Sequence, residues 1–171
     1  VTYYFDKAGA MREGWYAENG AWYYYNESGR PASGWKNVNG TWYYLDPRNN
    51  NKMVSGGWKV VNGSWYYFNG SGIMQTGWIL YYDKWYYLGE DGAMKKGWLY
   101  YDKNRYYLND DGSMRTGWLF DGRVWYYFGE DGQMKIGWQT IDGKKYYFDS
   151  SGAMKTGMMF LDGKCINLGN A

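Results

Sequence analysis

Indole, phenol and thioether side chains recur along this chain at fixed offsets, and the chemistry they can do together is to surround a cation. A Gly-Trp pair stands at Gly14-Trp15, Gly34-Trp35, Gly57-Trp58, Gly77-Trp78, Gly97-Trp98, Gly117-Trp118 and Gly137-Trp138, with Gly157-Met158 as an altered further copy. Seven residues after each Trp comes a second cluster: Trp22-Tyr23-Tyr24, Trp42-Tyr43-Tyr44, Trp65-Tyr66-Tyr67, Trp85-Tyr86-Tyr87, Arg105-Tyr106-Tyr107, Trp125-Tyr126-Tyr127 and Lys145-Tyr146-Tyr147. A Met recurs in the linkers, at Met11, Met53, Met74, Met94, Met114, Met134 and Met154. Three aromatic faces around a small void suit a quaternary ammonium, because the negative π faces attract the charge while its methyl groups leave water. A polarizable thioether can floor the void. Each cation-π contact is worth about 0.5 to 2 kcal/mol, so one box binds weakly. Several on one chain hold a polymer that bears the cation at intervals, since later contacts become intramolecular.

These residues must be positioned by a repeated element. The step from one Gly-Trp to the next is twenty residues throughout, except for twenty-three between Trp35 and Trp58. A fixed period of this size is one supersecondary unit copied and stacked. Between the two aromatic clusters stand Asn19-Gly20, Asn39-Gly40, Asn62-Gly63 and Asp142-Gly143, dipeptides that supply the positive φ angles of a two-residue turn, so each unit reads as a short β-hairpin. An isolated hairpin is marginal in water, and stability must come from stacked neighbours. Side chains alternate across a strand, so Trp42 and Tyr44 share one face while Tyr43 and Leu45 share the other. The second face is predicted to be core: its last position reads Tyr25, Leu45, Phe68, Leu88, Leu108, Phe128 and Phe148. The first tolerates charge, since Arg105 and Lys145 occupy the Trp position there, and a fully buried site would not take an unpaired cation cheaply. Exposed indoles without a structural duty call for a ligand. In each box the Gly-Trp indole and the second indole form right-angled walls. The third wall is the second Tyr of the next unit, or else that unit's Trp.

Composition narrows the remaining possibilities. With 12 Trp and 22 Tyr among 171 residues but few branched aliphatics, aromatic stacking must replace an aliphatic core. A net charge of +2 with scattered basic residues gives no case for nucleic acid. The chain has no His, which removes histidine-based acid-base chemistry and His-ligated metal; no metal site is expected. The recurring Glu90-Asp91, Asp110-Asp111 and Glu130-Asp131 are turn residues before a Gly rather than a glycosidase pair. The single cysteine, Cys165, is expected as a small buried side chain of the last unit. No stretch is apolar enough to span a membrane. The chain opens on the second half of a unit, the pattern of a segment from a longer repeat-bearing protein.

The run from Gly57-Trp58 through Trp65-Tyr66-Tyr67-Phe68 to Met74-Gln75-Thr76-Gly77-Trp78 closely resembles the choline-binding repeats of pneumococcal and phage surface proteins, and the likeness spans essentially the whole chain. The resemblance implies an all-β solenoid, a left-handed superhelix of hairpins. It also implies a non-catalytic, secreted module at a Gram-positive cell wall or surface. The ligand would be choline or phosphocholine on teichoic and lipoteichoic acids, with no other cofactor. A catalytic or adhesin domain elsewhere, and dimerisation, are compatible with it. Glucan-binding and toxin repeats look similar, so a carbohydrate-binding module that stacks sugars on the same aromatics is the alternative; residues 137–148 resemble that type more. The array divides into a partial repeat over residues 1–13, seven hairpin repeats over 14–156 and a capping repeat over 157–171.

Carried over position by position, the resemblance implies four boxes: Trp35 with Trp42, Tyr67 and Met53; Trp58 with Trp65, Tyr87 and Met74; Trp78 with Trp85, Tyr107 and Met94; and Trp118 with Trp125, Tyr147 and Met134. A fifth joins Trp15, Trp22 and Tyr44, with Pro31 where the Met would stand. Arg105 and Lys145 are expected to repel a cation and to close or reshape the boxes in their units. The three extra residues between Asp46 and Lys52 are expected to widen the second box.

Overall fold

The computed structural model describes residues 3–161 and 163–169. Val1 and Thr2 of the opening partial repeat, and Asp162, Asn170 and Ala171 of the capping repeat, lie outside them. The strands in chain order are β1 (Gly14–Glu18), β2 (Ala21–Tyr25), β3 (Gly34–Val38), β4 (Thr41–Asp46), β5 (Lys52–Met53), β6 (Gly57–Val61), β7 (Ser64–Phe68), β8 (Gly77–Tyr81) and β9 (Lys84–Leu88). There follow β10 (Gly97–Tyr101), β11 (Asn104–Leu108), β12 (Gly117–Asp121), β13 (Val124–Phe128), β14 (Gly137–Ile141), β15 (Lys144–Phe148), β16 (Met154–Lys155), β17 (Met158–Leu161) and β18 (Lys164–Asn167). Each long strand pairs with its sequence neighbour as an antiparallel hairpin, and β5 and β16 add short third strands to β4 and β15. The expected all-β array of hairpins is what forms. Among the described residues no helix is long and apolar enough to cross a membrane.

The turns explain the regular spacing. Asn19-Gly20, Asn39-Gly40, Asn62-Gly63 and Asp142-Gly143 each place two successive residues at positive φ, the conformation whose twist matches that of the flanking strands. Tyr82-Asp83, Asp102-Lys103 and Gly122-Arg123 adopt it too, although their sequences carry a weaker signal. In the linkers an Asx turn takes over: Asn69 Oδ1 accepts from the Ser71 and Ile73 amides at 3.0 and 2.9 Å. The three residues added after β4 are absorbed by a 3-10 turn, Pro47–Asn49, whose first amide is capped by Asp46.

Register fixes the faces. Trp35 lies directly opposite Tyr44, and Lys36 opposite Tyr43, so each hairpin has a front carrying both Trp positions and the second Tyr. Its back carries the first Tyr and the Leu or Phe. Leu45, Phe68, Leu88, Leu108, Phe128 and Phe148 are fully buried, as the alternation predicted. Burying such a side chain contributes about 1.5 to 3 kcal/mol, which makes these residues the main support of their hairpins. Cys165 departs from expectation and is exposed. It stands seven residues after Met158 and opposite Phe160, the front position that the second indole holds elsewhere.

The chain divides into two compact units, one of residues up to Ile79 with Leu88–Met94, the other of Leu80–Tyr87 with residues from Lys95 onward. Within each, successive hairpins pack front against back. In the first, Trp35 on a front meets Tyr66 and Phe68 on the next back at centroid distances of 4.7 and 5.9 Å. Front Asp46 there forms an ion pair with back Lys59. In the second, Trp118 meets Tyr146 and Phe148 at 4.9 and 5.8 Å.

Candidate functional site

Trp35 and Trp42 are diagonal neighbours on one front, close enough for large rings to meet. Their centroids lie 6.4 Å apart with planes at 87°. Tyr66 of the next hairpin adds a third ring 4.7 Å from Trp35, inclined at 67°. Met74 completes the enclosure, and its backbone amide donates to the Trp42 carbonyl at 2.9 Å, which ties the linker to the indole it faces. Trp35, Trp42, Tyr66 and Met74 line a cavity of about 350 Å³, with Glu90 and Asp91 also in its lining.

The second unit repeats the arrangement. Trp118 and Trp125 stand 6.0 Å apart at 89°, Tyr146 lies 4.9 Å from Trp118, and with Met154 they line a cavity of about 390 Å³. Phe120, opposite Trp125 on the neighbouring strand, brings a further ring to 5.0 Å from it. Three walls of the same kind meet near the start of the chain, where Trp15 and Trp22 lie 6.5 Å apart at 82° and Tyr43 sits 4.7 Å from Trp15. The strand carrying Met53 runs beside β2 there.

The second indole of each box is half open to water: Trp42 is 44% and Trp125 39% exposed. Its burial is therefore not what holds the hairpin, a duty that falls to Leu45 and Phe128 on the opposite face. The linings of these two cavities carry no charged side chain except Glu90 and Asp91. Perpendicular π faces and a thioether can attract a cation and shelter its methyl groups.

Two family models match the chain: the choline-binding repeat over residues 1–33 and 54–97, and the putative cell wall binding repeat over residues 33–47, 96–114, 116–134 and 136–154. The chain belongs to the choline-binding repeat family. Among solved structures, CbpJ from Streptococcus pneumoniae TIGR4 is 38% identical with a TM-score of 0.89, the match covering 97% of this chain and 60% of that one. Choline-binding protein F of Streptococcus pneumoniae, determined in the presence of a tetrasaccharide-pentapeptide peptidoglycan analogue, is 43% identical with a TM-score of 0.85 over 97% of this chain and 59% of that one. The same protein in complex with ipratropium matches at 41% identity and a TM-score of 0.82, over 98% and 61%. The chain thus spans about 60% of the length of these relatives. No curated protein matches it significantly.

In these choline-binding repeats the third wall and the floor differ from expectation. The wall against Trp35 is Tyr66, not Tyr67; against Trp118 it is Tyr146, not Tyr147; and against Trp15 it is Tyr43, not Tyr44. Front-to-back stacking is the reason. The second Tyr lies on its own front and packs on its own Gly-Trp, as Tyr44 does on Trp35 at 5.1 Å, Tyr67 on Trp58 at 5.2 Å, Tyr107 on Trp98 at 5.4 Å and Tyr147 on Trp138 at 5.1 Å. Nor does the next Trp close the box, since Trp65 pairs with Trp58 of its own hairpin at 6.4 Å. The floors shift by one linker, to Met74 in place of Met53 and Met154 in place of Met134. Met134 instead donates its amide to the Arg105 carbonyl.

Of the two other expected groupings, Trp58, Trp65 and Met74 fall in the first compact unit and Tyr87 in the second, while Trp78 and Met94 fall in the first and Trp85 and Tyr107 in the second. The second box is not widened: Tyr66 stands 4.7 Å from Trp35, as Tyr43 stands 4.7 Å from Trp15 and Tyr146 4.9 Å from Trp118. In the Trp98 unit the third wall is present as Tyr126 at 4.8 Å. Arg105 stands where the second indole would be and donates to the Ser151 carbonyl at 3.3 Å. The residues missed were Tyr43, Tyr66, Tyr146, Met154, Glu90 and Asp91. Retention offered no signal for the tyrosines, because both are kept in every cluster, even beside Arg105 and Lys145.

Proposed function

We propose that the chain is a non-catalytic wall-anchoring module at a bacterial cell surface, binding choline or phosphocholine carried by teichoic and lipoteichoic acids. The observation that carries this reading is the pair of cavities lined by Trp35, Trp42, Tyr66 and Met74 and by Trp118, Trp125, Tyr146 and Met154. Their half-exposed second indoles are surplus to the buried core, so the fold retains them for a ligand. Membership of the repeat family supports choline as that ligand. That choline-binding protein F was studied in the presence of a peptidoglycan analogue supports a wall-associated role. Aromatic and thioether walls favour holding over turnover, and any activity of a longer protein would then reside in another part of it.

Titration with choline and with its uncharged carbon isostere, followed by Trp fluorescence, tests the reading. Choline is expected to bind and the isostere to bind at least tenfold more weakly; equal affinities would favour sugar-type or purely apolar recognition. Trp42→Ala and Trp125→Ala are each expected to remove one site while leaving the circular dichroism spectrum intact. A collapsed spectrum would place those indoles in the core.

A further inference from the structure

The Trp35 and Trp118 boxes have like aromatic walls and unlike charge. In the first, Glu90 and Asp91 line the same cavity as the two indoles, Tyr66 and Met74. Both come from the turn after β9, where Asp91 Oδ1 accepts from the Ala93 amide at 3.1 Å. In the second, no carboxylate shares the cavity with Trp118, Trp125, Tyr146 and Met154. Two of its walls, Tyr146 and Met154, also line an adjoining cavity of about 350 Å³ together with Lys144, Lys145 and Lys155. Lys155 is paired with Asp149 at 2.7 Å. Lys144 and Lys145 are exposed and make no ion pair among those identified in the described residues.

Resting on the reading of these cavities as choline boxes, we infer that they sort ligands by charge: the Trp35 box selects a bare quaternary ammonium, and the Trp118 box accepts the zwitterion phosphocholine. A carboxylate beside a bound ammonium adds Coulomb attraction to the π contacts, and the same carboxylate repels a phosphate attached to it. At half-exposed sites such a term is worth about a fivefold change in affinity per contact and is screened by salt. Beside the Trp118 box the phosphate meets ammonium groups instead. Trp-Tyr-Tyr repetition alone would make the boxes equivalent. The residues that differ come from outside the motif, one linker further along in the first box and from the Lys144-Lys145 replacement in the second.

The floor methionines allow each box to be read separately, by carbon-13 methyl resonances of Met74 and Met154 in the intact chain titrated with choline and with phosphocholine. The Met74 signal is expected to prefer choline over phosphocholine by about fivefold or more, and to lose that preference in Glu90→Gln or at high salt. Met154 is expected to respond to phosphocholine at least as readily as to choline, and to be unmoved by Glu90→Gln. Lys145→Gln should weaken its phosphocholine response alone. Equal ligand preference at the two methyl groups, or a Met74 response unaltered by Glu90→Gln, overturns the charge sorting while leaving the boxes as choline sites. Silence of both methyl groups toward both ligands would overturn the choline reading itself.

Discussion

At the scale of single residues, the decisive distinction is between two adjacent tyrosines. Tyr66 lies 4.7 Å from Trp35 of the preceding hairpin, whereas Tyr67 lies 5.2 Å from Trp58 of its own. Tyr66→Leu keeps apolar bulk but removes a π face, so choline binding at the Trp35 box should weaken by about 1 kcal/mol. Tyr67→Leu should leave that box unchanged, with the Met74 methyl resonance reporting both. A second residue-scale consequence concerns acid. Burial of Asp46 works to raise its pKa, but the hydrogen bond from Lys59 and the Arg48 amide outweigh it and hold the carboxyl below its ordinary value. Asp111, bonded by Ser113, and Asp149, bonded by Lys155 and Ser151, are lowered as well. A carboxyl depressed in the folded state stabilises at pH above its unfolded value of about 3.9 and loses that contribution as pH falls through the folded value. Asp46→Asn should therefore cost about 1 to 3 kcal/mol near neutrality. That penalty should shrink on acidification below about pH 4, as read from urea midpoints at both pH values.

At the scale of elements, the turns carry the chain's local strain. Asp102 and Lys103 occupy φ of 45° and 63°, a region that costs an L-residue about 1 to 2 kcal/mol, where the turns ending in Gly20, Gly40, Gly63 and Gly143 place a Gly second. Lys103→Gly should raise stability by about 0.5 to 1 kcal/mol, visible as a higher urea midpoint with an unchanged slope. The linker glycines are constrained differently. A Cβ at Gly92, itself at φ 76°, would collide with the thioether of Met74, so this turn also seats the floor of the Trp35 box. Hairpins, turns and the buried Leu or Phe that ends each second strand were legible in the sequence because each follows from local spacing: a period of two along a strand, an Asn-Gly at a fixed offset. The third wall and the floor were not, because both depend on which face of one hairpin meets which face of the next. Alternation places Tyr67 on the same face as Trp65, and from one strand alone that looks like the face turned toward the preceding hairpin's indoles. Only the stacked array shows that unlike faces meet, and that the Met74 amide binds the carbonyl of a Trp thirty-two residues earlier. Glu90 and Asp91 carried no signal beyond turn chemistry.

At the scale of the molecule, binding strength depends on how many boxes act together. Each box that binds choline in the folded state alone stabilises the fold by about 2.7 kcal/mol at a ligand concentration one hundred times its Kd, so the unfolding midpoint should rise with choline in proportion to the number of intact boxes. Removing one by Trp42→Ala should subtract one share of that rise. A polymer carrying choline at intervals should behave differently from the free ligand. Once one cation is seated, the next binds intramolecularly, and avidity can exceed single-site affinity by about 10² to 10⁴. Trp125→Ala should then cost the free ligand one site and leave the other sites at their original Kd. The same substitution should weaken retention on a choline-bearing polymer well beyond its share, because the term lost is an effective concentration rather than a contact. Elution of the wild type and the variant from immobilised choline polymer along a choline gradient measures the difference. Coincident elution would mean that a single box carries the attachment and that repetition serves the fold alone.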